Sequence, residues 1–334
     1  MSLKEARFWE KPKETDRVRC LLCPHHCLIA EGQVGICGVR QNQKGILYAQ
    51  TYGKISSLAF DPVEKKPLYH FYPGRIILSI GSVGCNLCCS FCQNWRISQV
   101  GFQDWPLKEV TSRKLVELAM ANNSVGIAYT YNEPLVSWEF VYDTASLAQS
   151  RNLKNVLVTN GYVEKEPLSA LLPLVDAMNV DLKSIEERFY RRYCGGTLSP
   201  VLATIEAAFH SGVHVEVTNL IVSGLNDRPE LIERLVDWIA QLSPSIPLHF
   251  SRYFPAYRLD NPPTSLSVLE EAFAMAKKKL RFVYLGNVPD EEKNSTFCPS
   301  CGKLLVGRSG YTVKIAGLEG NRCRFCQTEL PFYC

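Results

Sequence analysis

A chain of 334 residues, 46% of them hydrophobic and 21% charged, can bury a sizeable core, and its length suits one β/α barrel with appendages as well as two domains. A formal net charge of +4 is too mild to direct it to nucleic acid or acidic lipid. The charged amino terminus MSLKEARFWEKPKETDRVRC lacks the apolar stretch of a signal peptide, and no run reaches the ~20 apolar residues of a membrane span, so the expected location is the cytoplasm.

In that reducing compartment 14 cysteines read as metal ligands, not as a disulfide framework. The first group, Cys20, Cys23, Cys27 and Cys37, lies in the loop-rich CLLCPHHCLIAEGQVGICGVR. It offers four thiolates for a structural zinc or an auxiliary iron–sulfur cluster, or stays unligated, with His25 and His26 read as bystanders. Short alternating runs and turns up to residue 74 then lead into the main domain.

From residue 75 onward strands and helices alternate. RIILSI, VGIAYTY, KNVLVTNG, VDAMNVDLK, VHVEVTNLIV and PLHFSRYF read as strands, and TSRKLVELAMANN, PLVSWEFVYDTASLAQSR, IEERFYRRYC, SPVLATIEAAFHSG, RPELIERLVDWIAQL and SLSVLEEAFAMAKKKL as helices. Six β/α units predict a partial (β/α)6, TIM-like barrel over 75–289, with its ligand site at the carboxyl ends of the strands. Polar residues gather at those ends, in YNEP (131–134), TNG (159–161), DLK (181–183) and SGLND (223–227). No GxGxxG or phosphate loop is present, so a nucleotide grip of that kind is not expected.

Residues 290–334 change character. Cys298 with Cys301, and Cys323 with Cys326, form two C-x-x-C knuckles whose four thiolates can close the tetrahedron of a structural zinc. Cys334 has no partner in that scheme and reads as a bystander, and Cys194, isolated in RRYCGG, reads as a small buried apolar residue near a helix end, with a redox or radical-relay thiol as the alternative.

The decisive stretch is GSVGCNLCCSFCQNW, residues 81–95. Pairing Cys85 with Cys88 and Cys89 with Cys92 leaves no ribbon between the pairs to close a zinc site. Read as C-x-x-x-C-x-x-C, it gives Cys85, Cys89 and Cys92 as three ligands with Cys88 turned elsewhere. Three thiolates leave one iron of a 4Fe-4S cluster open for chemistry.

On CNLCCSFC after the first barrel strand, the chain resembles the radical S-adenosylmethionine enzymes over about 75–285, nearest among them the activating enzymes of pyruvate formate-lyase through TNG, DLK and VSGLND. CPHHC, GICGVR, CSFCQNW, TYNEP, SRYFPAY, VYLGNVP and CPSCGKLL extend the resemblance, nearly full-length, to the radical enzymes of the AmmeMemoRadiSam system. The resemblance implies a 4Fe-4S cluster on Cys85, Cys89 and Cys92, chelated by S-adenosylmethionine through its amino and carboxylate groups. It implies Phe91 near the adenine, Asn132 and Glu133 at the segment that binds the cofactor amino group, Lys183 with Asp181 at its carboxylate, and Asn160 as a hydrogen-bonding residue. The two glycines that the family carries before that glutamate are absent here, where Tyr131 and Asn132 stand. Read without the family, Asn132 caps a helix that Pro134 begins, and Asp181 and Lys183 are solvated loop charges.

Thr218, His249 and Arg252 on the last two strands are weaker candidates, each with an ordinary core or rim alternative. The expected reaction is reductive cleavage of S-adenosylmethionine followed by hydrogen abstraction from a protein or peptide, fed by a low-potential electron donor. Methylation or rearrangement of a small metabolite, and a non-catalytic zinc-stabilised binding scaffold, are the competing readings. By resemblance the expected partners are Memo-like and AMMECR-like proteins.

Overall fold

The computed structural model describes residues 3–13 and 15–334. Eight strands form its main sheet: β1 (Ser57–Pro62), β2 (Ile76–Gly81), β3 (Gly126–Tyr129), β4 (Lys154–Thr159), β5 (Ala177–Asp181), β6 (His214–Ile221), β7 (Leu248–Arg252) and β8 (Val283–Gly286). They lie side by side in sequence order; β2 to β8 are parallel, and β1 pairs antiparallel with β2.

A helix crosses back between each successive parallel pair: α1 (Ser112–Ala121), α2 (Trp138–Gln149), α3 (Lys165–Leu171), α4 (Ser199–His210), α5 (Pro229–Leu242) and α6 (Leu266–Lys277). Strands covered on both faces carry continuous apolar runs, as in Ile77–Leu78 and Val156–Leu157, all fully buried. The helices are one-sided. In α5 the buried residues are Leu231, Ile232, Leu235, Val236 and Ile239, a single stripe at helical spacing.

The expected (β/α)6 description is corrected at both ends. A seventh parallel strand, β8, follows the sixth helix; its four residues are too short a run for periodicity to distinguish. The lead-in segment 57–62 belongs to the same sheet as its antiparallel edge, so the sheet begins before residue 75. The segment 185–194, expected as a plain helix, is one short turn (Glu187–Phe189) running into a π-helical turn (Tyr190–Cys194) that ends at Gly195.

Before the sheet, small antiparallel pairings join 9–10, 18–20 and 28–29, and 4–5, 46–49 and 40–43. Val18, Leu22, Ile29 and Leu47 from this region share the apolar core of the sheet. An ion pair locks the join: the Arg40 guanidinium donates to Glu139 Oε1 at 3.0 Å, and the Arg7 N–H donates to the same oxygen at 2.7 Å. Both side chains are 1% exposed. Removing one partner strands the other charge out of water, so Glu139→Ala is expected to cost about 3–5 kcal/mol in urea unfolding.

After the sheet, strands 304–309 and 312–315 form a hairpin across Gly310 and Tyr311. Leu305, Val306, Leu318 and Phe332 pack with Phe282 and with Tyr284 of β8. The tail then returns to the sheet side, where the Tyr72 N–H donates to the Tyr333 carbonyl and Phe332 stacks on His70 at 4.1 Å. No helix among the described residues is long and apolar enough to cross a membrane.

Candidate active site

The carboxyl ends of the parallel strands open on a cavity of about 920 Å³. Cys85, Cys89 and Cys92, from the loop that leaves β2, line it, while Cys88 is exposed and lies outside the lining. Phe91, Asn132, Glu133, Asn160, Asp181, Lys183, Thr218 and His249 line the same cavity. Arg252 does not; its guanidinium donates to the Thr264 carbonyl at 2.8 Å and lies over the Phe254 ring.

Local hydrogen bonds explain how the loop is held. Asn132 Oδ1 accepts from the Ser82 N–H at 2.9 Å, and its amide donates to the carbonyls of Val83 and Gly84, both at 3.0 Å. Its side chain is therefore occupied with the backbone just before Cys85, and it does not cap the following helix. Glu133 is that cap, accepting from the Leu135 N–H at the start of Pro134–Ser137. The Glu133 carboxylate also accepts from Thr159 Oγ1 at 2.7 Å and the Asn160 N–H at 2.8 Å, which ties the end of β3 to the end of β4. Asn160 in turn donates from Nδ2 to Asn86 Oδ1 at 2.9 Å and to Cys85 Sγ at 3.5 Å.

Burial pushes the Glu133 carboxyl up to about 7 against its three donors. The folded state then holds a proton that the unfolded chain loses near its ordinary value of 4.5, so this group makes stability fall as pH rises from about 4.5 to 7. The drop is about 3 kcal/mol. Urea unfolding at pH 5 and pH 7.5 is expected to show most of that increment in the wild type and to lose it in Glu133→Gln.

Lys183 Nζ lies 2.7 Å from Asp181 Oδ2. Burial lowers its affinity for a proton, but Asp181 and the nearby Cys89 outweigh burial and keep it charged. Its backbone is fixed as well: the Asn226 amide donates to the Lys183 carbonyl at 2.7 Å and the Asn219 amide to that of Leu182 at 2.7 Å. The SGLND segment thus acts by holding this loop in place.

Two features escaped sequence reading. Cys194, far along the chain and fully buried, lies beside Cys89 and holds its thiol below the ordinary value against the opposing effect of burial. The Cys194 carbonyl also accepts from the Cys88 N–H at 2.8 Å, and a Cβ on Gly195, which sits at φ +72°, would strike Cys88 Sγ. The RRYCGG sequence marks Cys194 as buried at a helix end, as it is, but carries no sign of its meeting with Cys89. On another wall, Tyr131 adopts a left-handed φ of +74° and donates to Asp61 Oδ2 at 2.6 Å, while Lys66 pairs with the same carboxylate at 2.7 Å. Burial raises the Asp61 pKa, but these partners and Lys65 hold it well below the carboxylate range. Arg308 and Tyr311 of the carboxyl-terminal hairpin complete the lining.

The four carboxyl-terminal cysteines form a separate centre. Cys298, Cys301, Cys323 and Cys326 place their sulfurs within 4.8 Å of one another, and the Sγ pairs 298–326 and 301–323 are 3.6 and 3.7 Å apart. Zinc–sulfur bonds of about 2.3 Å give a tetrahedral edge of about 3.8 Å, so these thiols fit one tetrahedral ion.

Known proteins share this architecture. A profile of the Radical SAM superfamily matches residues 79–239. The uncharacterized protein MJ0808 of Methanocaldococcus jannaschii is 47% identical over 98% of this chain and 99% of its own. The benzylsuccinate synthase activating enzyme of Thauera aromatica is 24% identical over 57% of this chain and 58% of its own. In fold, the chain is similar to Streptococcus suis SuiB bound to S-adenosylmethionine, with a TM-score of 0.51, 13% identity, and 63% of this chain and 52% of that one covered. With a three-cysteine loop at the head of a parallel sheet and these relatives, the chain belongs to the radical SAM superfamily.

Proposed function

We propose that Cys85, Cys89 and Cys92 hold a 4Fe-4S cluster on which S-adenosylmethionine binds, and that the enzyme abstracts hydrogen from a protein or peptide. The observation that carries this reading is that these three thiols line one cavity with the strand-end polar residues while Cys88 is turned out of it. The donor set fits such a group: three sulfurs face a common space but, unlike the carboxyl-terminal four, do not close within 4.8 Å. A cluster bound there would supply one electron, taken from an external donor, to cleave the sulfonium into methionine and a 5′-deoxyadenosyl radical, which becomes 5′-deoxyadenosine on taking a hydrogen atom from the substrate.

The protein's own part is binding and exclusion. Charged, half-buried Lys183 meets the cofactor carboxylate, with Asp181 as its resting partner. A carboxylate has about four lone-pair sites. Three on Glu133 accept from Leu135, Thr159 and Asn160, which leaves one on Oε2 for the cofactor ammonium. Phe91, packed on Phe189 at 5.6 Å, offers apolar surface to the adenine. Asn132 and Asn160 are positioning residues, the first for the loop and the second through its bond to Cys85.

A protein or peptide substrate is supported by two relatives whose names are those of activating enzymes, for benzylsuccinate synthase and 4-hydroxyphenylacetate decarboxylase. The AmmeMemoRadiSam likeness adds Memo-like and AMMECR-like proteins as partners, with a low-potential donor supplying the electron. A small-metabolite substrate is the second reading, favoured by the hairpin residues Arg308 to Tyr311 that wall the cavity.

The test is 5′-deoxyadenosine formation by anaerobically reconstituted, reduced enzyme. Lys183→Met is expected to raise the S-adenosylmethionine concentration needed by roughly 10- to 150-fold, the value of a charged hydrogen bond of about 1.5–3 kcal/mol. A fully loaded wild type that forms no 5′-deoxyadenosine, with or without candidate proteins, overturns the reading.

A further inference from the structure

The amino-terminal cysteines, 50 or more positions before the cavity loop in most cases, are not used by the reading above. Cys20, Cys23, Cys27 and Cys37 nevertheless surround one small void, whose wall is completed by apolar groups such as Leu22, Ile29 and Val136 and by the polar residues His25, Arg40 and Asn86. The chain segments that carry them are ordered by their own bonds: the Cys20 N–H donates to the Cys27 carbonyl at 3.0 Å, and the His26 N–H to that of Cys23 at 3.1 Å. Neither histidine completes the set with its Nε2. His25 Nε2 lies 2.7 Å from the Asn86 carbonyl, and His26 Nε2 lies 2.9 Å from Glu164 Oε1. Four thiols with no competing ligand is the donor set of a closed metal centre.

Spacing separates the two metals that such a set can take. The carboxyl-terminal thiols stand at the edge length of a single-ion tetrahedron. Among the described residues, no three of the amino-terminal thiols bring their sulfurs within even 4.8 Å of one another. Cys85, Cys89 and Cys92 do not close within that distance either. A cubane spreads its thiolates because each is bonded to a different iron, whereas one zinc draws all four together. The Ile36 N–H donates to Cys27 Sγ at 3.5 Å, a bond of the kind that stabilises a cluster thiolate.

We infer that Cys20, Cys23, Cys27 and Cys37 hold a second iron–sulfur cluster of the 4Fe-4S type, fully ligated by cysteine. Having no open iron, it does not bind S-adenosylmethionine. It abuts the cavity loop directly: Asn86, next to Cys85, lines the amino-terminal void, and a Cβ on Gly84, at φ +84°, would run into the Cys37 carbonyl. The inference is independent of the first cluster site.

The test uses full-length protein reconstituted anaerobically with iron and sulfide, analysed for iron, sulfide and zinc and by Mössbauer and EPR spectroscopy. The wild type is expected to hold about eight irons and one zinc per chain. The Cys85→Ala, Cys89→Ala, Cys92→Ala triple variant is expected to keep about four irons, and its EPR signal after dithionite reduction does not change on adding S-adenosylmethionine. Cys27→Ser is expected to lose those four and keep the zinc. Two zincs per chain with no iron in the triple variant overturn the inference in favour of a structural zinc, and so does a single zinc with no other metal. Failure of the first site alone reads differently: the wild type then holds about four irons that Cys27→Ser removes and the triple variant retains.

Discussion

Replacing Cys85, Cys89 and Cys92 together by alanine is expected to reduce 5′-deoxyadenosine formation to the level of the no-enzyme blank, whereas Cys88→Ala keeps it. The four cysteines occupy only eight positions, yet the fold treats them differently. Cys89 is buried against Cys194 and near Lys183, Cys85 is bonded by Asn160, and Cys92 faces the same cavity. Cys88 is exposed on the outside of the turn, its N–H bonded to the Cys194 carbonyl. Burial raises the Cys85 and Cys92 thiols, so neither ionises readily without a metal; the proposed iron centre would supply the charge that keeps them deprotonated. Activity retained by the triple variant, or lost in Cys88→Ala with its cluster intact, would sink the assignment.

The second large effect is expected at the carboxyl-terminal centre. Cys298→Ser should lose one zinc per chain and make the segment after residue 290 sensitive to limited proteolysis, while Cys334→Ser, whose exposed thiol donates to the Gly320 carbonyl, should do neither. Structural zinc binding contributes about 10–16 kcal/mol in small modules, and the apolar cluster around Leu305 and Val306 is small. Its loss reaches the active site. Arg308, fully buried, donates to the Tyr69 carbonyl at 2.6 Å and stacks over the Tyr69 ring at 4.2 Å, and Tyr311 at the hairpin tip lines the cavity. The thermal midpoint should therefore fall, and the cavity should lose a wall. Zinc content by mass spectrometry of the intact protein decides it; full zinc retention in Cys298→Ser would refute the site.

Other expectations turn on single buried groups. Glu139 carries the join between the amino-terminal strands and α2, and Glu133 carries a pH-dependent stability increment with a defined window. Both are measurable without iron, sulfide or S-adenosylmethionine.

What the sequence by itself determined is local. Alternation of apolar runs and one-sided helices marks six β/α units, because strand and helix periods are properties of neighbouring residues. Knuckle spacing marks the carboxyl-terminal tetrahedron, and C-x-x-x-C-x-x-C marks the cavity loop, because ligands in one turn have few geometries open to them. Four-residue β8 escaped that kind of reading because it is shorter than a period can resolve. Tertiary structure alone decided which distant segments meet. Cys194 lies beside Cys89, the Cys37 loop against Gly84, and Arg308 and Tyr311 over a cavity built mostly by strand ends more than 50 residues earlier in the chain. The order of strands in the sheet and the packing of the two flanking modules on it make these encounters, and spacing along the chain carries no trace of them.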